Sequence, residues 1–305
     1  MRVVVTGASG LLGANLVFEL DRRGHAVTAL YRHHPARFPS ARAAACDLTD
    51  SARTAGLLAD ARPEWIIHCA AATDLEWCES HPRECMRING EVPGELAAVA
   101  RKIGAGVVYI STDAVFDGVD GGYRETDAVS PINHYGRSKA AGESAIVSNA
   151  ERALIVRVNI YGWNLQPKRS LAEWALGLLQ AGEQTPGFCD VVFSPVLVND
   201  LAEWILDLIE RGCGGIFHMG SPEPVSKYEF IRTLAAVFEL DGSLVRESSI
   251  QTSRLVAPRP RRTWLRTAKI AAAVGRSTPG VPDGLRKFRA LAENGFVNRL
   301  KGAAA

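Results

Sequence analysis

The sequence has no apolar run long enough to cross a bilayer, and its first residues show no secretory signal pattern. No C-x-x-C pair occurs among the six cysteines, which favours reduced thiols in a cytosolic protein. The seven histidines form no H-x-x-x-H pair, so the sequence predicts no metal site. A net charge of +2 argues against nucleic-acid binding. We therefore expect a cytoplasmic protein with neither membrane nor nucleic-acid partners.

What is present is the composition of an ordinary globular protein, with 47% hydrophobic and 22% charged residues among 305. Short β-rich runs alternate with helical segments through the first half of the chain. The predicted strands span residues 2–6, 26–31, 42–46, 65–69, 107–111 and 153–158. This alternation predicts an α/β fold with a Rossmann-type, doubly wound parallel sheet.

The regular alternation stops near residue 160. Helices are expected at 174–179, 199–210 and 226–238, strands at 191–193 and 215–219, and two short helices after the basic loop 258–262. We therefore expect a Rossmann domain over residues 1–160 that binds NAD(P). Residues 161–305 should form a smaller C-terminal α/β lobe that mainly binds substrate, with some segments returning to the core domain.

A glycine-rich turn joins the first strand to a helix predicted to end near residue 23. The spacing G-x-x-G-x-x-G suits a tight turn, close approach of a pyrophosphate and close helix–strand packing. The free N–H groups at the helix N-terminus favour phosphates. A turn without a ligand is the alternative, but the flanking strand and helix favour dinucleotide binding. The expected cofactor contacts in this turn are Gly7, Ser9, Gly10, Leu11, Leu12 and Gly13.

The second strand lacks the terminal acid that binds the ribose 2′-hydroxyl of NAD. It runs instead into Arg32 and two histidines, a cationic end that fits the 2′-phosphate of NADP or, alternatively, a solvated basic loop. We predict NADP as the preferred cofactor, with NAD also possible.

After the third strand, Asp47 could accept a hydrogen bond from the adenine amino group, with Leu48 beside it. Asp50 suits an N-cap of the next helix.

Small residues follow the fourth strand, where they let a cofactor lie close to the backbone: Ala70, Ala71 and Ala72. His68, within that strand, is expected to be a core residue. Asn89 lies next to a glycine inside a predicted helix, which is locally unfavourable and predicts a kink or a polar role. We include it among the cofactor contacts.

Ser111 and Thr112 end the fifth strand, where ligands bind in open α/β sheets. Either hydroxyl could bond a carbonyl; the alternative is an ordinary strand-end hydroxyl.

Tyr135 and Lys139, four residues apart, lie on one face of a helix. An ammonium close to a phenol should lower the tyrosine pKa towards neutral pH, and such a phenol can give or take a proton. A Y-x-x-x-K pair by itself is common by chance.

The glycine turn together with the Tyr/Lys pair resembles the extended short-chain dehydrogenase/reductase superfamily. The middle of the chain is more specific. It is similar to the dTDP-4-dehydrorhamnose reductase family in Y-I-S-T-D-A-V-F-D-G, Y-x-E-x-D and P-x-N-x-Y-G-x-S-K-x-x-G-E, at residues 109–118, 123–127 and 131–143. Residues 259–265 are also similar, so the resemblance covers essentially the whole chain.

This resemblance implies an NAD(P)H-dependent reductase of the 4-keto group of a nucleotide-linked 6-deoxysugar. It implies that Thr112 bonds the keto group, that Tyr135 is the general acid and that Lys139 holds the nicotinamide ribose. Ser111, Tyr135 and Lys139 are expected to contact the cofactor. Rhamnose-forming members carry a tryptophan at the position of Ile160, and Trp163 follows three residues later. The expected substrate contacts are Thr73, Thr112, Asp113, Val115, Phe116, Asn159, Trp163 and Arg259.

Other functions are compatible with the same sequence. One is a non-catalytic, NADP-binding regulatory subunit similar to the β subunit of methionine adenosyltransferase. Another is a nucleotide-sugar epimerase or dehydratase, which keeps its nicotinamide bound and recycles it. A third is an oxidoreductase of a non-sugar carbonyl. Retention of the Thr/Tyr/Lys set favours an enzyme. The expected partners are a nucleotide-sugar substrate and, in a homodimer, a second copy of the chain.

Overall fold

The computed structural model describes residues 1–252 and 255–304. The strands are β1 (Arg2–Thr6), β2 (Ala26–Tyr31), β3 (Arg42–Ala45), β4 (Trp65–His68), β5 (Gly106–Thr112), β6 (Ala153–Tyr161), β7 (Thr185–Phe188), β8 (Val192–Phe193), β9 (Pro195–Leu197), β10 (Gly215–Met219), β11 (Val225–Ser226) and β12 (Val245–Ser248). The α-helices are α1 (Leu11–Arg22), α2 (Ser51–Ala61), α3 (Leu75–Ser80), α4 (Pro82–Met86), α5 (Val92–Lys102), α6 (His134–Asn149), α7 (Leu171–Gln180), α8 (Val198–Glu210), α9 (Lys227–Val237), α10 (Ala268–Val274), α11 (Val281–Glu293) and α12 (Phe296–Gly302).

The central sheet is parallel throughout, in the order β3-β2-β1-β4-β5-β6-β10, and β9 extends it beside the end of β6. From β1 the chain first builds outwards through β2 and β3, then continues on the other side with β4. The two directions diverge between β1 and β4, which creates a crevice at the carboxyl ends of the strands. The predicted doubly wound parallel sheet is confirmed.

Helices cover both faces of this sheet, as the continuously apolar strands require. Val3 and Val5 of β1 face a core that includes α1 and α8. Val4 points to the opposite face, where α2, α5 and α6 pack. Asp50 caps α2 as predicted, accepting a hydrogen bond from the backbone of Arg53 (3.0 Å).

A smaller core lies between α7, α9 and α11, centred on Tyr161, Phe230 and Phe288. Two short pairings belong to this region: β7 with β12, which the sequence did not predict, and β8 with β11. After the basic loop α10, α11 and α12 follow, so the expectation of two short helices is wrong. Because β10 and α8 lie with the central sheet, a lobe starting at residue 160 stays a proposal. In the described part of the chain, no helix has the length and apolarity needed to cross a bilayer.

Candidate active site

The glycine turn after β1 forms a cradle at the crevice. Gly7 adopts φ +63°, and a Cβ there would lie 2.7 Å from the backbone nitrogen of Ala70. At Gly13 a Cβ would lie 2.2 Å from the carbonyl oxygen of Gly7, so α1 packs against the turn without room for a side chain. Gly10, the N-cap of α1, has no side chain to satisfy the first N–H groups of the helix. The residues present therefore fit a dinucleotide pyrophosphate.

The remaining predicted contacts in this turn differ in exposure. Ser9 is buried, and Leu12 points into the core beneath α1. Leu11, the first residue of α1, is half-buried. Of the two leucine side chains, only that of Leu11 is therefore available at the surface of the cradle.

Gly13→Ala should destabilise the protein and weaken NADPH binding, because the added methyl group meets the Gly7 carbonyl. Overpacking of this kind costs about 1–3 kcal/mol. Gly56→Ala in α2 is the matched control, since its Cβ would meet no described heavy atom within 4 Å. The control should gain about 0.5–1 kcal/mol from helix propensity. Urea denaturation and NADPH fluorescence titration measure the two effects; equal behaviour of both variants would contradict this packing.

Asn89 connects the loop after β4 to α6. Its side-chain amide bonds the backbone of Ala72 in both directions, accepting at 2.8 Å and donating at 2.9 Å. It also donates to the Ser138 hydroxyl (3.1 Å), which donates in turn to the carbonyl of Tyr135 (2.7 Å). A π-helical turn, Arg87–Glu91, places Asn89 there. The predicted polar role is observed, and Asn89 holds the loop after β4 through Ala72.

The two hydroxyls that end β5 point to different surroundings. Ser111 donates a hydrogen bond to the buried Glu143 carboxylate of α6 (2.5 Å), so its hydroxyl points into the protein interior. Thr112 is 7% exposed, accepts from the backbone of Ala114 (3.1 Å) and donates to Asp113 (3.1 Å). Of the two, Thr112 is the hydroxyl that neighbours the Tyr135 phenol.

Tyr135 lies in the first turn of α6, where Asn133 caps the helix by accepting from the N–H of Gly136 (2.7 Å). Burial raises the pKa of the Tyr135 phenol above its ordinary value; the Thr112 hydroxyl opposes this rise and Asp113 adds to it. The prediction of a lowered Tyr135 pKa is therefore wrong. A phenol that keeps its proton at neutral pH is suited to donate one.

Lys139 is buried one turn after Tyr135. Its ammonium donates to the carbonyl of Ile110 (2.7 Å) and lies 3.9 Å from the centre of the Tyr109 ring. Burial lowers the pKa of Lys139 to about 7, and the Glu143 carboxylate opposes that shift. The position of this amine is therefore set by β5 as well as by its own helix.

A buried ion pair lies behind Lys139. Arg157 of β6 binds Glu143 through two bonds, Nη2 to Oε2 (2.6 Å) and Nε to Oε1 (2.8 Å). The side chains are 3% and 7% exposed, respectively. Arg157 Nη1 also lies 3.3 Å from Nε2 of His218, whose pKa is lowered to about 3, first by burial and then by Arg157. A neutral His218 accepts this bond.

Asp113 joins the sheet to the C-terminal part of the chain. Its buried carboxylate accepts from Asn159 of β6 (2.9 Å) and from Thr263 before α10 (2.6 Å), in addition to Thr112. Burial raises the pKa of Asp113, and these three hydrogen bonds oppose the rise. Asp113 and Asn159, both expected to bind substrate, are bonded to each other at the carboxyl ends of β5 and β6.

Three predicted substrate contacts pack against other parts of the chain. Val115 and Phe116 are 0% exposed, and Phe116 stacks on Tyr123 with ring centres 4.1 Å apart, so neither side chain offers a surface to a substrate. Trp163 stacks on Phe288 (4.1 Å) and donates its indole N–H to the Phe288 carbonyl (2.9 Å). Trp163 is only partly buried, and its substrate contact stays a prediction.

The side of the crevice predicted to hold the adenine is more exposed than the surroundings of Tyr135 and Lys139. Arg32 follows β2 and is exposed, as is Asp47 after β3. The carboxylate of Asp47 accepts from the backbone (3.0 Å) and hydroxyl (2.7 Å) of Thr49, and these bonds, with a smaller contribution from Arg32, lower its pKa. Leu48 packs partly against the core, whereas Thr73 is exposed beyond the alanine loop.

Sequence patterns did not point to two further charged residues at this cleft. Glu76 of α3 accepts from the backbone of Val256 (3.0 Å) and Ala257 (3.1 Å) and from Arg259 (2.7 Å), which ties the basic loop to the core. Lys227, at the start of α9, interacts electrostatically with Asp113. Both are placed by contacts between distant parts of the chain. No group of three or more His, Cys, Asp or Glu side chains in the described residues is arranged to hold a metal ion.

Comparison with known proteins connects this geometry to a family. The family model described as the RmlD substrate binding domain matches residues 1–292. A probable low-salt glycan biosynthesis reductase of Haloferax volcanii is 35% identical over 294 residues, covering 95% of this chain and 98% of the relative. The methionine adenosyltransferase 2 subunit beta of Bos taurus is 32% identical, covering 94% of this chain and 88% of that one.

Solved structures agree with the sequence relatives. The dTDP-4-dehydrorhamnose reductase of Bacillus anthracis, in complex with NADP, superposes with a TM-score of 0.85 at 28% identity, covering 95% of this chain and 98% of that one. A hypothetical dTDP-4-dehydrorhamnose reductase of Sulfolobus tokodaii gives 0.82 at 31% identity, covering 92% and 98%. The resemblance noted from the sequence is confirmed: the chain belongs to the dTDP-4-dehydrorhamnose reductase family of the extended short-chain dehydrogenase/reductase superfamily.

Proposed function

We propose that this protein is an NAD(P)H-dependent reductase of the 4-keto group of a nucleotide-linked 6-deoxysugar. One observation carries the proposal: Tyr135 in the first turn of α6 lies beside the Thr112 hydroxyl at the carboxyl end of β5, in the same crevice as the glycine cradle. The Bacillus anthracis relative, a dTDP-4-dehydrorhamnose reductase solved with NADP, and the Haloferax volcanii reductase support it.

Each of the three residues Thr112, Tyr135 and Lys139 has a separate role in the proposed reduction of a ketone. A bound dihydronicotinamide supplies the hydride when NADPH occupies the cradle. In the proposed reaction the Thr112 hydroxyl turns its single proton from Asp113 to the keto oxygen, and Tyr135 delivers a proton to that oxygen as negative charge develops on it. Lys139, held by the Ile110 carbonyl, would hold the nicotinamide ribose. Asn159 and Thr263 hold the Asp113 carboxylate beside Thr112.

NADP is the proposed cofactor, with NAD as a weaker substitute. Arg32→Ala should raise the Michaelis constant for NADPH about tenfold, the size expected for loss of one charge-assisted hydrogen bond. The constant for NADH should change little, because NADH has no 2′-phosphate. Steady-state kinetics with both cofactors measure the difference. An equal change for the two would remove Arg32 from the 2′-phosphate site; Arg42→Ala, at an exposed position on β3, is the control.

The regulatory-subunit alternative has the support of the Bos taurus relative. Thr112, Tyr135 and Lys139 are all retained in one crevice, which a purely regulatory protein does not need. Stoichiometry separates the functions. A reductase consumes one NADPH per product, an epimerase or dehydratase consumes none, and a regulator shows no turnover.

The test of the proposed function is NADPH oxidation against dTDP-, UDP- and GDP-linked 4-keto-6-deoxysugars, with product identified by mass spectrometry. Reduction of a nucleotide-linked sugar and inactivity towards simple ketones is the expected result. Cofactor oxidation with simple ketones alone would instead support the non-sugar oxidoreductase. A homodimer and a cytoplasmic location stay predictions, which light scattering and cell fractionation can test.

A further inference from the structure

The Lys139 ammonium lies over the face of the Tyr109 ring, with 3.9 Å between Nζ and the ring centre. A cation at this distance is attracted by the negative face of the aromatic π-system. Both residues are buried, Tyr109 at 0% and Lys139 at 2% exposure, so water does not screen the contact. Burial also holds the pKa of Tyr109 well above its usual range, so the ring itself is uncharged.

The ammonium has few other direct partners. Within residues 1–252 and 255–304, one hydrogen-bond acceptor meets its three hydrogens, the carbonyl of Ile110 (2.7 Å). The carboxylate of Glu143 is engaged elsewhere, since it accepts from Ser111 (2.5 Å) and binds Arg157 through two bonds. The ring face of Tyr109 therefore supplies the direct contact that a carboxylate would otherwise make.

The Tyr109 ring is held in place from three directions. Its hydroxyl donates to the carbonyl of Asn89 (2.9 Å). His68 lies directly opposite on β4, and its ring is nearly parallel to that of Tyr109, with centres 5.8 Å apart and 16° between the planes. On α6, Gly142 lets the helix approach the phenol, because a Cβ there would collide with the Tyr109 hydroxyl. The ring therefore cannot turn away from the ammonium.

The charge of Lys139 is set by burial and by groups from several elements. Burial lowers its pKa to about 7, and the Glu143 carboxylate and the thiols of Cys69 and Cys85 oppose the shift. A hydrogen bond with Cys78 lowers the pKa of the Cys85 thiol to about 7. Cys85 therefore titrates in the same range as Lys139, so proteins whose Lys139 is compared must all keep this thiol.

The remaining titratable groups around Lys139 are neutral. Burial, with a smaller contribution from Lys139, lowers the pKa of His68 to about 3. Burial raises the pKa of Cys69 to about 12 and also raises that of Tyr135. These groups carry no charge at neutral pH, so they neither repel nor neutralise the ammonium.

We propose that Tyr109 is a positioning residue of the reductase, whose ring face holds the Lys139 ammonium at β5 and stabilises its charged form. The inference rests on the proposed function, in which Lys139 holds the nicotinamide ribose. A ring face attracts the ammonium without binding its hydrogens in fixed directions. The hydrogens that do not bond Ile110 therefore stay available to the cofactor, and Tyr109 acts only through Lys139.

Fluorine provides the test, because it withdraws electrons from a ring face while changing the shape of the ring little. Tyr109 is replaced by phenylalanine and by phenylalanines that carry one, two or three ring fluorines, introduced by amber suppression. The same fluorinated series at Phe230 is the control, since this fully buried ring contacts the rings of Tyr161 and Phe193. Carbon-13 NMR of labelled lysine in the cofactor-free protein gives the pKa of Lys139, and Lys139→Arg assigns its signal.

Tyr109→Phe should leave the Lys139 pKa close to wild type, because the ring remains. From that value the pKa should fall with each added fluorine, by about one unit over the series, which is about a tenfold loss of proton affinity. NADPH fluorescence titrations should follow the same order, with affinity lost at progressively lower pH. The series at Phe230 should leave both measurements unchanged, and thermal melts record any change in packing.

A Lys139 pKa that is insensitive to fluorine at position 109, or that falls equally in the Phe230 series, would overturn the proposal. A shift in Tyr109→Phe as large as that with three fluorines would place the effect in the hydroxyl bond to Asn89 and would overturn it as well. The proposed function fails separately. If the pKa falls with fluorination but wild-type protein reduces no 4-keto sugar, Tyr109 stabilises the ammonium in a protein that is not this reductase.

Discussion

Tyr135→Phe should lower the turnover number about a hundredfold to ten-thousandfold, the range that a positioned general acid contributes. The substitution removes the proton donor and leaves the aromatic ring that fills the first turn of α6. In the proposed reaction the proton given to the keto oxygen comes from this phenol, which phenylalanine lacks. Single-turnover measurement of NADPH oxidation with a reducible nucleotide sugar records the effect.

NADPH affinity provides the control for this variant, since the glycine cradle is unaltered and fluorescence titration should give a dissociation constant close to wild type. The raised pKa of Tyr135 adds a pH expectation. A phenol that stays protonated through neutral pH should not cause the reduction rate to fall there as pH rises. Near-normal turnover by the phenylalanine variant would remove Tyr135 from the mechanism.

Glu143→Gln should lower the free energy of unfolding by about 3–5 kcal/mol, the cost of leaving a buried ionic partner unpaired. Arg157 would keep its charge in an interior where its side chain is 3% exposed. The amide of glutamine can replace one acceptor oxygen but not the charge. Urea denaturation followed by circular dichroism measures the loss.

The matched control is Glu91→Gln. Glu91 pairs with Arg87 at 3.4 Å, and its side chain is 59% exposed. A surface change of this kind should shift stability by less than about 0.5 kcal/mol. A loss at Glu143 as small as at Glu91 would show that the buried pair is not needed.

Glu143→Gln should also change the pH dependence of NADPH binding. The carboxylate of Glu143 raises the pKa of Lys139, which burial lowers to about 7. Neutralising Glu143 removes that support, so Lys139 should lose its proton at a lower pH. Any step that needs the ammonium, such as tight NADPH binding, should then weaken at a lower pH than in wild type. NADPH titrations over a pH series check the direction, and an unshifted profile would separate Lys139 from Glu143.

Much of the fold was predictable because its signals are local. Continuous apolar runs between helical segments define a sheet covered on both faces, and the glycine spacing before α1 is visible without any tertiary information. The unpredicted pair β7 and β12 shows the limit. Each strand is four residues long and is stabilised by pairing with a segment about sixty residues away. Neither has an apolar alternation strong enough to mark it.

For the candidate site, the sequence alone pointed to Gly7, Gly13, Tyr135 and Lys139, since their spacing within one turn or one helix already suggests their chemistry. The tertiary structure decided their surroundings. Burial, which no spacing reveals, raises the Tyr135 pKa where the nearby lysine had suggested the opposite. Long-range contacts turned the Ser111 hydroxyl towards Glu143.

Contacts between distant parts of the chain also set the surroundings of the predicted substrate residues. Trp163 packs on Phe288, 125 residues later, and Thr263 bonds Asp113, 150 residues earlier. Sequence therefore determined the class of fold, the glycine turn and the Tyr/Lys pair of the candidate site, all of which depend on neighbours a few residues apart. Protonation, orientation and substrate contacts depend on burial and on distant partners, and only the folded chain decides them.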